Sequence, residues 1–410
     1  MLTEQTTTDI TTEILIIGGG ITGTSTAFFL AQSGHEIILL ERSELASEAS
    51  GLNAGTLWQI GWGTSPDLST TLSMGGLELF KMLQSDLGYD IEFRQSGALK
   101  AIQTEEQLEF LQKEVQLLKS QAYSLEILTT RDAQSIEPEL SSALSGCLHY
   151  PLGGSANPVK TTRAFATAAQ QRGARTLTNH EVSSIQYLDD ARYKVVTSKG
   201  IFQARILVLA AGPWCHSIGS MLGLHIPVFP VRDQMWSTGP VPTRLFHALG
   251  AAESTLYWHR NPYSTKHTPL ELTHRDNVRL TRHLYGRQTL NGEIIFGGDR
   301  QLTQSKTPDE AGIEANRNHV IEIFPFLRQF PIKRTWAGLM PFTQSLEPII
   351  GKIPQYENLY IVTGLSSSGF EQGPMSGKFL ADCIHDGHPP AVLSIADPAR
   401  QVTALAVDAD

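Results

Sequence analysis

Short apolar runs flank a stretch of helical periodicity at the start of the chain. Residues 14–17 and 37–40 are apolar, and runs of this length rich in isoleucine are typical of strands buried in a parallel sheet. Between them, Ala27, Leu30 and Ala31 recur at helical spacing, and Gly34 is a natural end for the helix. The pattern therefore predicts a strand–helix–strand unit.

The rest of the chain predicts further helices and strands, with short strands dominating after about residue 226. Helices are predicted over 70–87, 104–121, 157–172 and 309–323, and strands over 93–102, 181–187, 193–197 and 202–212. Residues 280–288 and 292–296 predict a hairpin, with Asn291-Gly292 as its turn. The fold class is therefore α/β, a Rossmann-like domain with an inserted α+β domain built on an antiparallel sheet.

A glycine-rich loop lies at the first strand–helix corner, with the spacing Gly18-x-Gly20-x-x-Gly23. Gly18 permits a tight turn, Gly20 lets the backbone approach a pyrophosphate, and Gly23 lets the helix pack closely on the strand. The helix N-terminus adds free N–H groups and a partial positive charge. Glu41 ends the second strand, where an acid accepts ribose hydroxyls and disfavours a 2′-phosphate. The motif predicts NAD or FAD rather than NADP.

Composition and charge narrow the class of partner. The net charge of −9, with scattered lysines and arginines, argues against nucleic acid or an anionic membrane as partner. No apolar run approaches the roughly 18 residues of a membrane span, and the polar first twelve residues lack a signal core. Cys147, Cys215 and Cys383 are isolated, which indicates buried thiols in a reducing compartment, and we predict a cytoplasmic protein. No histidine spacing suggests a metal site.

Four parts of the sequence, in order and over nearly the whole chain, carry a family resemblance. They are ILIIGGGITGTSTAFFLAQSGHEIILLER, FRQSGALKAIQTEEQLEFLQ, ILVLAAGPWC, and TWAGLMPFTQSLEPIIG followed by NLYIVTGLSSSGFEQGPMSGKFLADCI. Together they resemble the FAD-dependent oxidoreductase family of D-amino-acid oxidase, glycine oxidase and sarcosine oxidase, the DAO type. The resemblance implies that the dinucleotide is FAD and that the enzyme acts on CH–NH or CH–NH2 groups.

The resemblance also implies a discontinuous domain organisation. We expect a Rossmann-like FAD-binding domain over 12–88, 146–225 and 330–388, and an inserted α+β substrate-binding domain over 89–145 and 226–329. Residues 1–11 and 389–410 are expected to be mobile tails. A helix beginning near Gly373-Pro374 is expected to bring backbone N–H groups to the flavin pyrimidine.

The expected FAD-binding residues come from the loop motif and from the resemblance. They are Gly18, Gly20, Ile21, Thr22, Gly23, Glu41, Arg42, Ser47, Ser50, Asn53, Ala54, Gly55, Val182, Ala211, Gly212, Gly338, Ser368, Gly369, Phe370 and Glu371. Histidine and cysteine are absent where some relatives attach the flavin covalently. We therefore expect non-covalent FAD.

The family reaction oxidises a C–N bond: the substrate carbon gives a hydride to the flavin, and the imine product hydrolyses. No residue is assigned as an acid or base, because a neutral substrate amine needs no strong protein base. The cations that bind a substrate carboxylate in relatives are replaced here by Met340 and Glu371. Either another arginine serves, from Arg260, Arg279, Arg282 and Arg287, or Glu371 faces an amine. The pocket candidates are Tyr257, His259, His283, Tyr285, Arg287, Met340 and Glu371.

The expected partners are a small-molecule amine or amino acid and an electron acceptor, O2 or another. A homo- or hetero-oligomer is compatible with the sequence. Two other functions stay open at this point. One is a flavoprotein that catalyses a desaturation or an oxidative rearrangement in a biosynthetic pathway. The other is a non-catalytic FAD-binding subunit.

Overall fold

Two large β-sheets organise residues 9–60, 66–120, 123–253, 274–275, 278–279 and 283–405, which the computed structural model describes. The helices are α1 (Ile21–Gln32), α2 (Ala49–Leu52), α3 (Pro66–Lys81), α4 (Glu105–Ser120), α5 (Thr130–Ile136), α6 (Pro158–Gln170), α7 (Cys215–Ser220), α8 (Glu310–Ile323) and α9 (Gly369–Asp386). The strands are β1 (Ile10–Ile17), β2 (Ile37–Leu40), β3 (Thr56–Leu57), β4 (Ala98–Ile102), β5 (Glu126–Leu128), β6 (Gly146–Tyr150), β7 (Gly154–Ser155), β8 (Arg175–Leu177), β9 (Val182–Tyr187), β10 (Tyr193–Thr197), β11 (Gly200–Leu209), β12 (Leu224–His225), β13 (Val228–Pro240), β14 (Ala248–Ala251), β15 (His274–Arg275), β16 (Val278–Arg279), β17 (Tyr285–Gln288), β18 (Glu293–Gln301), β19 (Arg334–Thr343), β20 (Ile349–Lys352), β21 (Leu359–Thr363) and β22 (Thr403–Ala404).

The first sheet is built around parallel strands in the order β8–β2–β1–β11–β21, and β20, β10 and β9 extend it antiparallel. Successive residues of β1 over 14–17 pack alternately into two apolar cores, one on each face. Strands covered on both faces must be apolar throughout, which is the pattern read from the sequence. The Rossmann-like α/β prediction is therefore confirmed. β1 also begins at Ile10, inside the range predicted to be mobile, because Ile10 pairs with Phe202.

Helices α1, α6 and α9 cover one face of this sheet, with α1 in contact with both of the others. Helix α9 begins at Gly369, earlier than the predicted start near Gly373-Pro374. Pro374 lies inside this helix, in its second turn, and has no N–H to donate to the Phe370 carbonyl. In the described part of the chain, no helix combines the length and the apolar character that crossing a bilayer would require.

The second sheet has eight described strands in the order β19–β13–β18–β17–β14–β4–β6–β5. Its pairings are antiparallel except for β14 with β4. Strands β17 and β18 form the predicted hairpin, and Gly292 in its turn has a φ of +91°. Trp236, Phe296 and Val320 of α8 form part of the buried core on one face of the sheet. This sheet forms one wall of the cavity described below.

Two strands join the second sheet although their residues fall in ranges predicted for the FAD-binding domain. Strand β6 pairs with β4 and β5, and β19 pairs with β13 along its whole length. The sequence pattern identifies such strands but not their neighbours, because sheet membership depends on hydrogen bonds between residues distant in sequence. The remaining domain boundaries stay a prediction.

The segment from residue 389 was predicted to be a mobile tail, and the structure differs. Its helical turns bury Leu393 and Ala396 against the first sheet's helical face, and Val402 packs into the core on the opposite face. Strand β22 then pairs with β12. Leu393 and Ala396 are three residues apart, as on one face of a helix, but the run 391–396 is too short for its period to predict a packed element.

Leu393→Ala is expected to lower the free energy of unfolding by about 3 kcal/mol, the usual cost of truncating a buried leucine. Leu393 is 2% exposed, whereas Leu405, further along the same segment, is 39% exposed. The matched variant Leu405→Ala should therefore change stability by less than about 0.5 kcal/mol. Urea unfolding of both variants is the measurement. If both variants change the free energy of unfolding equally little, the segment that contains Leu393 does not pack against the core.

Candidate active site

The glycine loop has the geometry that its spacing predicts. Gly18 has a φ of +121°, and a Cβ atom there would lie 2.3 Å from the Ala210 carbonyl oxygen. A Cβ atom on Gly23 would lie 2.0 Å from the Gly18 carbonyl oxygen. Gly18 therefore forms the tight turn after β1, and Gly23 permits close packing of α1 beneath it.

Side chains from the neighbouring segments hold this loop. Glu41 accepts hydrogen bonds from the backbone N–H groups of Gly19, at 2.7 Å, and Ser43, at 2.9 Å. Ser50 Oγ accepts the Ile21 N–H at 2.9 Å, at the first turn of α1. Glu41 and Ser50 thus lie at the loop where the nucleotide is expected, and both line the cavity described next.

A cavity of about 990 Å³ extends from the glycine loop to the second sheet. It brings together most of the residues predicted to bind FAD. Those that line it are Gly18, Gly20, Ile21, Thr22, Glu41, Arg42, Ser50, Asn53, Val182, Ala211, Gly212, Gly338, Ser368, Gly369, Phe370 and Glu371. Gly23, Ser47, Ala54 and Gly55, also predicted to bind FAD, are not among the lining residues.

An Arg–Trp stack forms part of the cavity wall beyond the end of β2. The Arg42 guanidinium lies 3.8 Å from the centre of the Trp214 ring. Its Nη2 atom lies 2.6 Å from Glu48 Oε1, and the Lys306 ammonium lies 3.0 Å from the same oxygen. The ion pairs fix the guanidinium plane against the indole, which gives the cavity a flat, cationic wall.

The turn before α9 presents polar groups to the same cavity. Ser366 has a φ of +49°, which is uncommon for a residue with a side chain and is often found at functional sites. Its Oγ atom is buried and has no hydrogen-bond partner among the described residues. Ser368, Gly369 and Phe370 also line the cavity, so the positive end of the α9 dipole faces it.

These features fit a flavin dinucleotide. The N-termini of α1 and α9 both meet the cavity, and each offers backbone N–H groups to an anion or a carbonyl. The buried Ser366 hydroxyl is a further group without a partner that a bound flavin can satisfy. The volume lies at the upper end of the range for ligand sites, about 300–1,000 Å³. Fold and site together define a dinucleotide-binding protein whose cavity extends to its second sheet.

The chain belongs to the DAO family of FAD dependent oxidoreductases, whose family model matches residues 13–383. The predicted family and its cofactor, FAD, are therefore confirmed. The chain is similar to glycine oxidase of Geobacillus kaustophilus, with 26% identity over 383 residues, covering 91% of this chain and 92% of that protein. It is also similar to mitochondrial dimethylglycine dehydrogenase of Mus musculus, with 25% identity over 400 residues.

The match to dimethylglycine dehydrogenase covers 95% of this chain but only 44% of that protein, so the chain spans less than half of its length. Among solved structures, L-proline dehydrogenase from P. horikoshii superposes with a TM-score of 0.80 and 26% identity, covering 96% of this chain and 98% of that one. The fold of this chain therefore recurs in a structure of nearly the same extent.

Four of the predicted pocket residues line the cavity: His283, Tyr285, Met340 and Glu371. Tyr257, His259, Arg260 and Arg282 lie outside the described residues, and so does the side chain of Arg279. Arg287 is buried but is not among the lining residues. Its Nε atom donates to the Ala54 carbonyl and its Nη2 atom to the Ala156 carbonyl at 3.1 Å. Arg287 therefore ties two loops together behind the cavity wall, and burial lowers its pKa to about 10.

The cavity lining also includes charged residues that were not predicted, among them Asp233 and Arg300. Asp233 lies on β13 and Arg300 on β18, and both are nearly inaccessible to solvent. The Tyr285 hydroxyl donates to Asp233, and Arg300 Nη2 lies 2.6 Å from His283 Nε2. The available signal was the presence of charged residues inside otherwise apolar strands, in VRDQMW and IIFGGDR. That signal shows that a charge is buried but not what it faces.

The protonation states in this part of the cavity follow from burial. Burial raises the pKa of Asp233 to about 6, although the Arg300 charge opposes the shift. Burial and the Arg300 charge lower the pKa of His283 well below its usual value, so its imidazole is neutral at physiological pH. Burial also raises the pKa of Tyr285 well above its usual value. None of the three is therefore a strong base near neutral pH.

Glu371 lies in the first turn of α9 and is 3% exposed. Its carboxyl group accepts the Trp58 N–H at 2.7 Å and the Ser73 hydroxyl at 3.3 Å. Burial raises the pKa of Glu371 to about 8, although these hydrogen bonds and the Lys100 charge oppose the shift. Lys100 also lines the cavity, and its ammonium lies 5.7 Å from the centre of the Trp58 ring.

Proposed function

We propose that the protein oxidises a C–N bond of an amine or amino acid. The observation that carries this proposal is the cavity itself, which extends from the glycine loop, past the start of α9, to the polar residues of the second sheet. A substrate bound against that sheet lies beside the end of the cavity where the flavin ring is expected. The relatives support the proposal, because their names, glycine oxidase and dimethylglycine dehydrogenase, refer to amino-acid substrates.

Bound FAD supplies a two-electron acceptor for the hydride that leaves the carbon next to the substrate nitrogen. The imine left behind reacts with water to give a carbonyl compound and the free amine. The chain's own residues bind and orient the substrate. The lowered pKa of His283 makes its neutral imidazole a weak base, and the raised pKa of Tyr285 keeps its phenol protonated, so neither removes a proton from a substrate ammonium efficiently. This arrangement favours a substrate whose amine has already lost its proton.

We also propose how the flavin is attached, which kind of electron acceptor is used and in which compartment the protein works. FAD is bound non-covalently, because histidine and cysteine are absent from residues 50–55 and no cysteine lies next to Leu339. The electron acceptor is O2 or another oxidant. The protein forms a homo-oligomer or a hetero-oligomer. A reducing compartment, such as the cytoplasm, is supported by the burial of the free thiols of Cys147, Cys215 and Cys383.

Anaerobic addition of amines and amino acids to the purified holoprotein tests the proposal. We expect the flavin absorbance to bleach with one substrate class and the product to be a carbonyl compound, identified by its mass. Return of the absorbance in air then identifies an oxidase, and return only with an artificial acceptor identifies a dehydrogenase. If none of these compounds bleaches the flavin, C–N oxidation is not the reaction. A dehydrogenated or rearranged product would point to the desaturation alternative.

A further inference from the structure

Apolar and aromatic side chains line the cavity where it reaches helix α4. They come from the segment after β3, from the end of β6 and from the last turn of α4, and are here called the Trp58 pocket: Trp58, Ile60, Leu117, Leu118 and Tyr150. Trp58, Ile60 and Leu118 pack against the buried core between α4 and the second sheet. None of the five was expected to bind FAD, so the cavity has an apolar compartment that the dinucleotide does not explain.

Contacts on three sides fix the position of Trp58. A Cβ atom on Gly250 of β14 would lie 2.9 Å from Trp58 Cη2, so the indole ring lies directly against the strand. The ring meets that of Tyr150 edge to face, with 5.5 Å between the centres and 87° between the planes. The Trp58 backbone N–H donates to Glu371, in the first turn of α9, at 2.7 Å. Trp58 therefore connects the helix end where the flavin is expected with the second sheet.

The charged groups beside the Trp58 pocket offset one another. The Lys100 ammonium lies 5.7 Å from the centre of the Trp58 ring and 5.5 Å from that of Tyr150, distances at which aromatic rings attract a cation. Glu114 of α4 also lines the cavity and carries the opposite charge. Burial raises the pKa of Glu371 to about 8, so its carboxyl group is largely neutral at pH 7. This end of the cavity therefore suits an uncharged group.

We propose that the Trp58 pocket binds a bulky apolar substituent of the substrate, at least as large as a phenyl ring, and so favours large amines or amino acids over small ones. The proposal rests on the function proposed above, because the pocket is part of the same cavity. A third ring can pack against the edge-to-face pair of Trp58 and Tyr150. A small substrate leaves this apolar wall in contact with water, so it gains less free energy on binding.

Turnover of substrate pairs that differ only by a phenyl group tests this selectivity. The pairs are phenylalanine with alanine, each as both enantiomers, and 2-phenylethylamine with ethylamine. The selectivity ratio is kcat/KM of the phenyl compound divided by that of its small counterpart. In the wild type we expect a ratio of at least about ten, the lower end of the gain from burying an apolar group.

Substitutions of Trp58 should change this ratio without disturbing the α9 end of the cavity, because its bond to Glu371 comes from the backbone. Trp58→Ala removes the apolar wall and should lower the ratio to below about three, mainly through a higher KM for the phenyl compound. Trp58→Phe keeps an aromatic ring and should retain most of the ratio. A wild-type ratio in Trp58→Ala contradicts the proposal.

Two leucines of α4 provide a matched pair of variants. Leu118 and Leu108 are both half-buried and pack against the same core, but of the two only Leu118 lines the cavity. Leu118→Ala should lower the selectivity ratio by at least about threefold. Leu108→Ala makes the same chemical change away from the cavity and should alter the ratio by less than about twofold. These variants decide the question if Trp58→Ala does not fold. Equal ratios in the two leucine variants overturn the proposal.

Binding of phenyl compounds without an amine separates this proposal from the proposed oxidation. 2-Phenylethanol and phenylacetate are titrated into the holoprotein, with ethanol and acetate as their small counterparts. Calorimetry and the shift of the flavin absorbance bands measure binding. We expect the phenyl compounds to bind more tightly than their counterparts, and Leu118→Ala, but not Leu108→Ala, to weaken their binding. If neither phenyl compound binds to the wild type, the pocket does not have the proposed role.

The two proposals fail in different ways. If phenyl compounds bind through Leu118 but no amine or amino acid bleaches the flavin, the pocket is right and the proposed oxidation is wrong. If amines bleach the flavin and ethylamine reacts as well as 2-phenylethylamine, the oxidation is right and the pocket is wrong.

Discussion

Gly18→Ala is expected to yield a protein that is purified without FAD. The new Cβ atom would lie 2.3 Å from the carbonyl oxygen and 2.6 Å from the carbonyl carbon of Ala210, both of them backbone atoms. Ala210 directly follows β11, whose pairing with β1 and β21 prevents it from moving away. The glycine loop must shift instead, and the backbone N–H groups at the start of α1 move with it. Loss of two charge-assisted bonds to the pyrophosphate would raise the Kd for FAD by at least about 100-fold.

Gly34→Ala separates this clash from backbone strain. Gly34 belongs to the same strand–helix–strand unit and has a φ of +86°, but a Cβ atom there meets nothing within 4 Å. The substitution should cost about 1 kcal/mol of stability through its left-handed backbone and leave FAD binding unchanged. The measurements are the ratio of flavin to protein absorbance after purification and FAD titration of each apoprotein. Wild-type FAD affinity in Gly18→Ala would show that this loop does not bind the dinucleotide.

The Rossmann-like half of the fold could be predicted because its signals are local. The Gly18–Gly23 spacing, the buried strands on either side of α1 and the stop at Gly34 lie within about thirty residues of one another. The helix caps are equally local: the side chain of Asn157 accepts the Lys160 N–H, and that of Asp309 accepts the Gly312 N–H. Such hydrogen bonds depend on residues three positions apart, so α6 and α8 begin where the sequence indicated.

The substrate half could be predicted only in part, because its arrangement depends on pairings over long distances in sequence. The predicted pocket residues include His283 and Tyr285, which line the cavity, but also Arg287, which does not. The backbone of the loops around Ala54 and Ala156 covers the side chain of Arg287. No residue near Arg287 in the sequence predicts these contacts. Arg300 and Asp233 were missed for the same reason. Their strands, β18 and β13, bring them together across nearly seventy residues.

Glu371→Gln is expected to make the protein more stable at high pH and to leave its stability nearly unchanged at low pH. Burial raises the pKa of Glu371 to about 8 in the folded protein, whereas the carboxyl group of the unfolded chain keeps a value near 4.5. Between these values the folded state binds more protons than the unfolded state, so the free energy of unfolding falls as the pH rises. The glutamine variant does not titrate. Its advantage should grow from near zero at pH 5 to as much as about 4 kcal/mol at pH 9.

The substitution is well matched because glutamine can keep the hydrogen bonds of Glu371 with Trp58 and Ser73. Its amide oxygen can accept the Trp58 N–H, and its amide nitrogen can donate to Ser73 Oγ. Removal of the titration is therefore the main change. A carboxyl group that stays neutral below about pH 8 also does not attract a substrate ammonium.

Glu13→Gln is a control in which the pKa shift, and therefore the pH dependence of stability, has the opposite direction. Burial would raise the pKa of Glu13, but hydrogen bonds from the His35 side chain and the Glu36 backbone outweigh it and lower the pKa. A lowered pKa stabilises the folded protein above the unfolded value and ceases to do so as the pH falls. Glu13→Gln should therefore be less stable than wild type at pH 7 and approach it near pH 4. Thermal unfolding of the three holoproteins between pH 4 and 9 measures both trends. Parallel curves for wild type and Glu371→Gln would mean that Glu371 ionises as an ordinary carboxylate, with the charge of Lys100 and the hydrogen bonds from Trp58 and Ser73 outweighing burial.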